Sequence, residues 1–281
     1  MDYKIIVDSC GELTYKMKES GIYLSAPLSM QVDGDTIMDD ETFDQADFLR
    51  RVAASPECPK SSCPSPEKYM DLYSGKEQRV YVVTLSSELS GSFNSAQLAA
   101  KLWKEEHGED GKQIHVFNSR SASVGETLIA CKVRECEEQG MTFDETVSET
   151  EAYIEGQHTY FVLENLDTLR KNGRLTGIKS FVASALNIKP VMGSTPQGTI
   201  CQLGQARGIK RALAKMAEQI ARDSKQTKEK VLAIAHCNCP ERAREVERML
   251  LDKIRVKDSF IVDTAGISTM YANDGGIIVV L

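Results

Sequence analysis

The sequence predicts an α/β protein of two domains, the N-terminal one built on a parallel sheet and the C-terminal one on a mixed sheet. Two β-branched or aromatic runs, residues 80–84 and 114–117, are each followed by a Ser-rich loop and then by a helical pattern. Strands separated by single helices require right-handed crossovers and hence a largely parallel sheet. After Thr142 the rhythm changes to strands that alternate with both hairpins and helices. The length of 281 residues suits one large or two medium domains, at roughly 100–200 residues each.

In chain order, residues 5–7 form a short apolar strand, and Ile22, Leu24, Ala26 and Leu28 alternate as a half-buried strand does. After the strand at 80–84, Phe93, Ala96, Ala100 and Trp103 fall on one helix face. After 114–117, Val124, Leu128 and Cys131 do the same. Thr142 and Glu145 form a capping-box pattern that opens an acidic helix toward Glu155. A domain boundary is placed near Gly156, dividing the chain into 1–156 and 157–281.

Beyond it, 160–163 is a strand and 165–171 a short helix stopped near Gly173. Residues 186–192 and 199–203 pair across the turn-rich GSTPQG, and 207–222 is a long amphipathic helix. Val231–His236 is a buried strand and Pro240–Leu251 a helix with Pro in its first turn. Residues 260–263 and 277–281 close the chain as strands.

With 41% hydrophobic and 27% charged residues, the chain can bury a real core. A net charge of −7 argues against a surface that grips phosphate backbones, and no DNA-reading motif is visible. No apolar run reaches the ~18 residues of a membrane span, and the start lacks the pattern of a signal peptide. The eight cysteines include no CxxC pair, so a reduced cytoplasmic protein is expected. Cys237 and Cys239 form a CxC without further ligands at a usual spacing, so no metal and no cofactor are expected.

Chemistry in a parallel α/β sheet gathers beyond the carboxyl ends of its strands. Asp8, Ser9 and Cys10 follow the first strand. Ser86, Ser87, Ser90, Gly91 and Ser92 follow the strand ending at Thr84, and Asn118, Ser119, Ser121 and Ser123 the one ending at Phe117. A fourth stretch, KSSCPSP at 60–66, runs into a helix. Hydroxyls, a Gly and helix-start N–H groups together suit a carboxylate or phosphate. The same serines also serve as N-caps and turn formers, and both readings stand at this level. Neither GxxxxGK[ST] nor GxGxxG occurs. Arg170, Lys171 and Arg174 surround a Gly turn, either as a solvated basic turn or as a cationic rim facing the serine loops. Of the four histidines, His236 at a strand end is the best placed for a base, and no GxSxG elbow is present.

IIVDSCGEL, KSSCPSP, SSELSGSFNSA, NSRSASVGE, IAHCNCPERA and above all LENLDTLRKNGRL with LNIKPVM resemble the DegV family of bacterial fatty-acid-binding proteins, across essentially the whole chain. The resemblance implies two α/β domains with one fatty acid in the cleft between them. It assigns the carboxylate to Ser61 and Ser90, with the N–H of Gly91 in the same loop. It implies an ATP-dependent kinase subunit as partner, which makes an acyl phosphate, and it places Arg174 at that step. The family's tail usually carries a Thr-His-x-Gly-Pro-Gly motif whose His lies near the carboxylate. Here GISTMYANDGG puts Ala272 in the His place and Gly275 in the Pro place, with Tyr271 and Asn273 as neighbouring donors. Ser61, Cys63 and Asn118 likewise replace the family's Thr, Gln and Asp.

A fatty acid requires few polar groups for its head and a long apolar slot for its tail. Phe181, Ile188, Met192 and Met270 are the expected tail-slot residues. Three functions follow. The first is a carrier that presents a long-chain fatty acid to a kinase. The second is a lipid-binding sensor or regulator without kinase coupling. The third is an enzyme acting on a small anionic substrate through His236 or a Cys.

Overall fold

A computed structural model describes residues 2–108, 111–175 and 187–281 of the chain. The first half runs β1 (Tyr3–Asp8), α1 (Tyr15–Glu19), β2 (Tyr23–Ala26), β3 (Ser29–Val32), β4 (Asp35–Met38), α2 (Gln45–Ala54), β5 (Lys60–Ser62), α3 (Pro66–Tyr73), β6 (Arg79–Thr84), α4 (Ser92–His107), β7 (Gln113–Asn118), α5 (Val124–Glu138) and α6 (Phe143–Glu155). The second runs β8 (Thr159–Val162), α7 (Asp167–Lys171), β9 (Ile188–Ser194), β10 (Ile200–Arg207), α8 (Ile209–Asp223), β11 (Val231–His236), α9 (Pro240–Leu251), β12 (Asp258–Asp263), α10 (Gly266–Ala272) and β13 (Ile277–Val280).

Among the described residues the strands form three sheets. The order β2-β1-β6-β7 is parallel throughout. The order β10-β9-β8-β13-β11-β12 is antiparallel except for the β11–β12 pair, so this sheet is mixed as expected. Both strand classes match the fold class read from the sequence. β4-β3-β5 is a small antiparallel sheet that the strand–helix rhythm did not reveal. Its β3–β4 turn places Asp33 and Gly34 at positive φ, the geometry of a tight hairpin. The Asp-Gly pair is the signal that finds it.

Helices cover both faces of the parallel sheet, which is why β6 reads as an unbroken apolar run rather than an alternating one. On one face Ile6, Val80 and Val82 pack against Tyr69 and Tyr73 of α3 and Ala96 and Ala99 of α4. On the other, Ile5, Val7 and Val83 meet Ile129, Ala130 and Val133 of α5. α5 also turns Val124 and Leu128 toward Ala233, Ala235 and Val280 of the mixed sheet. One helix therefore forms the layer shared by two sheets. The far face of the mixed sheet is closed by α8 and α9.

The capping box at Thr142 and Glu145 is formed at the start of α6. Cys131, expected on the buried face of α5, is exposed. The buried stripe passes instead through Val133 and Cys136, because contact with two sheets shifts it around the helix. The stretch at 60–66 is not all loop. Residues 60–62 pair with β3, with Ser61 opposite Met30, and α3 begins at Pro66 with Ser65 as its cap. α1, α2 and α10 are three further helices that the sequence pattern does not reveal.

Candidate functional site

The loops after β1, β6 and β7 do share one sheet edge, being at the carboxyl ends of parallel strands. The 60–66 stretch belongs to another sheet and comes to them from the side. Asp8 locks the first two loops together. Its Oδ2 accepts the Leu85 N–H at 2.9 Å and the Ser92 hydroxyl at 2.5 Å, and its Oδ1 accepts the Cys10 N–H at 3.2 Å. Tyr69 closes on the Ser92 hydroxyl at 2.7 Å.

Most loop serines are consumed by such local structure. Ser119 bonds Ser121 through both N–H and carbonyl, and Ser123 donates to Glu12 at 2.7 Å. Ser90 accepts the Ser92 N–H at 3.2 Å at the start of α4. Two serines instead reach the other half of the chain. Ser86 donates to the Gly198 carbonyl at 2.9 Å, and Ser121 meets the Thr159 hydroxyl at 2.6 Å. Both the turn-forming and the bridging uses of Ser are present.

Between the two larger sheets lies a cavity of about 750 Å³, its open mouth included. Its apolar walls are Leu85 and Leu89 from the loop after β6, Phe161 and Leu163 at β8, Leu169 of α7, Ile200 of β10, Ile267 of α10 and Ile278 of β13. Arg174, Tyr271 and Ala272 stand at one end, and Arg120, Thr159, Ser194 and Thr199 also contribute to the wall.

The polar end is built by contacts across the chain. Ser61 Oγ lies 2.9 Å from the Tyr271 hydroxyl. The Arg174 guanidinium stands 5.8 Å from the centre of the Tyr271 ring, and its Nε donates to the Leu89 carbonyl at 3.1 Å. Its other end donates to the Asn172 carbonyl. Gly91, which caps α4, passes so close to Cys63 that a Cβ there would sit 3.1 Å from its sulfur. Ser61, Gly91 and Arg174 therefore lie near one corner, with Ser90 between Leu89 and Gly91 in the same loop, but of these four predicted residues only Arg174 lines the cavity. Burial pushes the Tyr271 hydroxyl above its ordinary value, while its bond to Ser61 and the nearby Arg174 pull it back.

The tail-slot residues expected from sequence are only partly in place. Met192 and Met270 are fully buried in side-chain clusters and do not line this cavity. Ile188 is half-buried at the start of β9 and also lies outside it. Phe181 lies outside the described residues. Met192 faces Phe161 across β8–β9, and it is Phe161 that reaches the void.

Beneath the serine loops lies a group of buried acids. Glu126 is fully buried, with neither carboxyl oxygen bonded among the described residues. Burial, then the Asp8 charge, push its carboxyl well up. Burial likewise pushes Glu12 up to about 7, and it raises Asp8 and the Cys10 thiol.

His236 sits outside the cavity walls, its Nδ1 accepting the Cys239 N–H at 3.3 Å, with Asp263 Oδ1 also 3.3 Å away. Cys237 is packed among Phe161, Leu163 and Met192, and burial pushes its thiol up to about 11. Neither residue has the activated, accessible setting of a nucleophile. Among the described residues no group of His, Cys, Asp and Glu is arranged to hold a metal ion, and no helix is long and apolar enough to cross a membrane.

Two α/β units thus border a largely apolar cavity with Arg174 and Tyr271 on its wall. The chain belongs to the DegV family, whose profile, described as that of an uncharacterised protein, matches residues 2–280. A DegV domain-containing protein of Streptococcus gordonii is 32% identical over 281 residues, covering 99% of this chain and 98% of the relative. The solved structure of a DegV-family protein from Ruminococcus gnavus, with vaccenic acid, is 63% identical with a TM-score of 0.97 and covers 100% of both chains. The Streptococcus pneumoniae Fatty Acid Kinase (Fak) B3 protein, loaded with linoleic acid, is 31% identical with a TM-score of 0.87 and covers 100% of this chain and 99% of that one.

Proposed function

We propose that the protein is a cytoplasmic carrier that binds one long-chain fatty acid between domains 1–156 and 157–281 and presents it to an ATP-dependent kinase subunit for acyl phosphate formation. The observation that carries this reading is the cavity itself, apolar along most of its walls, with Arg174 and Tyr271 on its wall and Ser61 bonded to Tyr271 behind it. The carboxylate is held by the hydroxyls of Ser61 and Ser90 and by the Gly91 N–H, and the acyl chain runs along Phe161, Ile200 and Ile278. Burial of the chain contributes about 0.8 kcal/mol per methylene, so the tail supplies most of the affinity and the head sets orientation. Arg174 meets the phosphoryl group or the kinase. The fatty acids bound to the Ruminococcus gnavus and Streptococcus pneumoniae relatives support the choice of ligand, and the latter's description as a Fatty Acid Kinase protein supports the partner.

Solvent extraction and native mass spectrometry of the purified protein test the ligand. An acyl mass equivalent is expected, and it is lost when Ser61→Ala is combined with Ser90→Ala. Absence of any acyl ligand, with none taken up on addition of oleic acid, overturns the reading.

One observation favours a second function. Ala272 lines the cavity beside Tyr271 and offers neither a proton nor a charge. A lipid-binding regulator without kinase coupling needs none. Supplying a fatty acid kinase and ATP distinguishes the two, since only the carrier yields acyl phosphate.

A further inference from the structure

The hydroxyls of Ser61 and Tyr271 form a pair 2.9 Å apart that joins β5 to α10. Among the described residues neither hydroxyl has another partner. Two hydroxyls carry two protons, and a single hydrogen bond between them uses one. The second O–H donor has no acceptor among the described residues and is available to a ligand. Tyr271 lines the cavity and Ser61 does not. The Arg174 guanidinium on the Tyr271 ring draws on its π electrons and strengthens the phenol as a donor.

We infer that Tyr271 is a direct ligand of the bound carboxylate, donating its hydroxyl proton into the cavity while Ser61 donates to the Tyr271 oxygen and fixes its orientation. This rests on the fatty-acid reading above and revises its head-group contacts: Ser61, whose one proton goes to Tyr271, holds the carboxylate through Tyr271 instead of directly. Arg174 acts on the head group through the ring as well as by its own charge. The site thus holds an anion with a relay of Ser61, Tyr271 and carboxylate in line.

The test compares wild type, Tyr271→Phe and Ser90→Ala in calorimetric titrations with oleic acid and with oleyl alcohol, which has the same chain and no carboxylate. Removing one hydrogen bond to a charged group lowers affinity roughly ten- to a hundredfold. Tyr271→Phe is expected to lose that factor for the acid and to keep wild-type affinity for the alcohol. Equal loss for both ligands assigns Tyr271 to packing and overturns the inference, as does undiminished binding of the acid. A second readout uses the intact wild type. The hydroxyl-bearing ring carbon of Tyr271, observed by NMR with isotope-labelled tyrosine, shifts on adding oleate and not on adding the alcohol. An unmoved signal overturns the inference whatever the variant does. If wild type takes up no oleate, the fatty-acid reading falls and this inference with it. If wild type binds oleate and Tyr271→Phe binds it equally well, only this inference falls.

Discussion

Asp39 Oδ1 accepts the Gly266 N–H at 2.6 Å and its Oδ2 accepts the Ile267 N–H at 2.9 Å. A buried carboxylate following β4 thus holds the first turn of α10, the helix that carries Tyr271 to the cavity. The small antiparallel sheet sets both partners of the head-group pair, Ser61 directly through β5 and Tyr271 through Asp39.

Asp39→Ala leaves the two N–H groups without their acceptor and is expected to cost about 1–3 kcal/mol of stability. Burial pushes the Asp39 carboxyl up to about 6, against the pull of the Ile267 and Gly266 N–H groups. A carboxyl raised in the folded state keeps its proton where the unfolded chain loses it. Stability from this group therefore falls as pH rises from its ordinary 3.8 to about 6. Denaturant melts across that window check both points, and Asp39→Asn is expected to flatten the slope.

The acids under the serine loops act in the same direction at higher pH. With Glu12 raised from 4.5 to about 7, its contribution is complete below 4.5 and lost as pH climbs through about 7. Glu12→Gln is expected to melt with a shallower fall in stability than wild type over that range, the slope from Asp39 remaining. A wild-type stability that rises through the same window contradicts the assignment.

Gly198 lies at φ +90, where a Cβ would sit 2.3 Å from the Ser86 hydroxyl oxygen and 2.8 Å from Arg120 Cα. Gly198→Ala combines an unfavourable backbone conformation with a clash, at an expected cost of about 1–3 kcal/mol. The free energy of unfolding measures it, and Ser86→Ala in the same background relieves part of the clash.

Ile200 lines the apolar wall from β10. Ile200→Trp fills space that the acyl chain needs and is expected to weaken binding of an eighteen-carbon acid at least tenfold. A twelve-carbon acid, about five kcal/mol poorer in methylene burial, should lose less. Titration of both acids against both proteins tests the tail path, and equal losses contradict it.

The long periodic elements were legible because each follows from local pattern. The buried β6, the capping box of α6 and the Pro-started α9 all lie where periodicity and caps put them. β3, β4 and β5 are three or four residues each, too short for alternation to stand out, and only Asp33-Gly34 marked their turn. α10 is hidden by GISTMYA, whose small and β-branched residues form a helix because the surroundings bury nearly all of it. At the site, Ser61, Gly91 and Arg174 came from motif resemblance. That Ser61 touches Tyr271 depends on a pairing 210 residues apart in sequence, which no local pattern encodes. Met192 and Met270 are apolar, but apolarity alone does not separate a cavity wall from a packed core.

α5 packs Ile129, Ala130 and Val133 on one sheet and Val124 and Leu128 on the other. It works as a common spindle rather than a strut belonging to either half. Swinging the halves apart like a jaw would strip one side of that spindle and wet a continuous apolar strip. Admission of an acyl chain by parting of the rim elements around the mouth leaves the spindle dry. A fragment ending at residue 156 would carry the same strip bare, and self-association of that fragment is the mark it should leave.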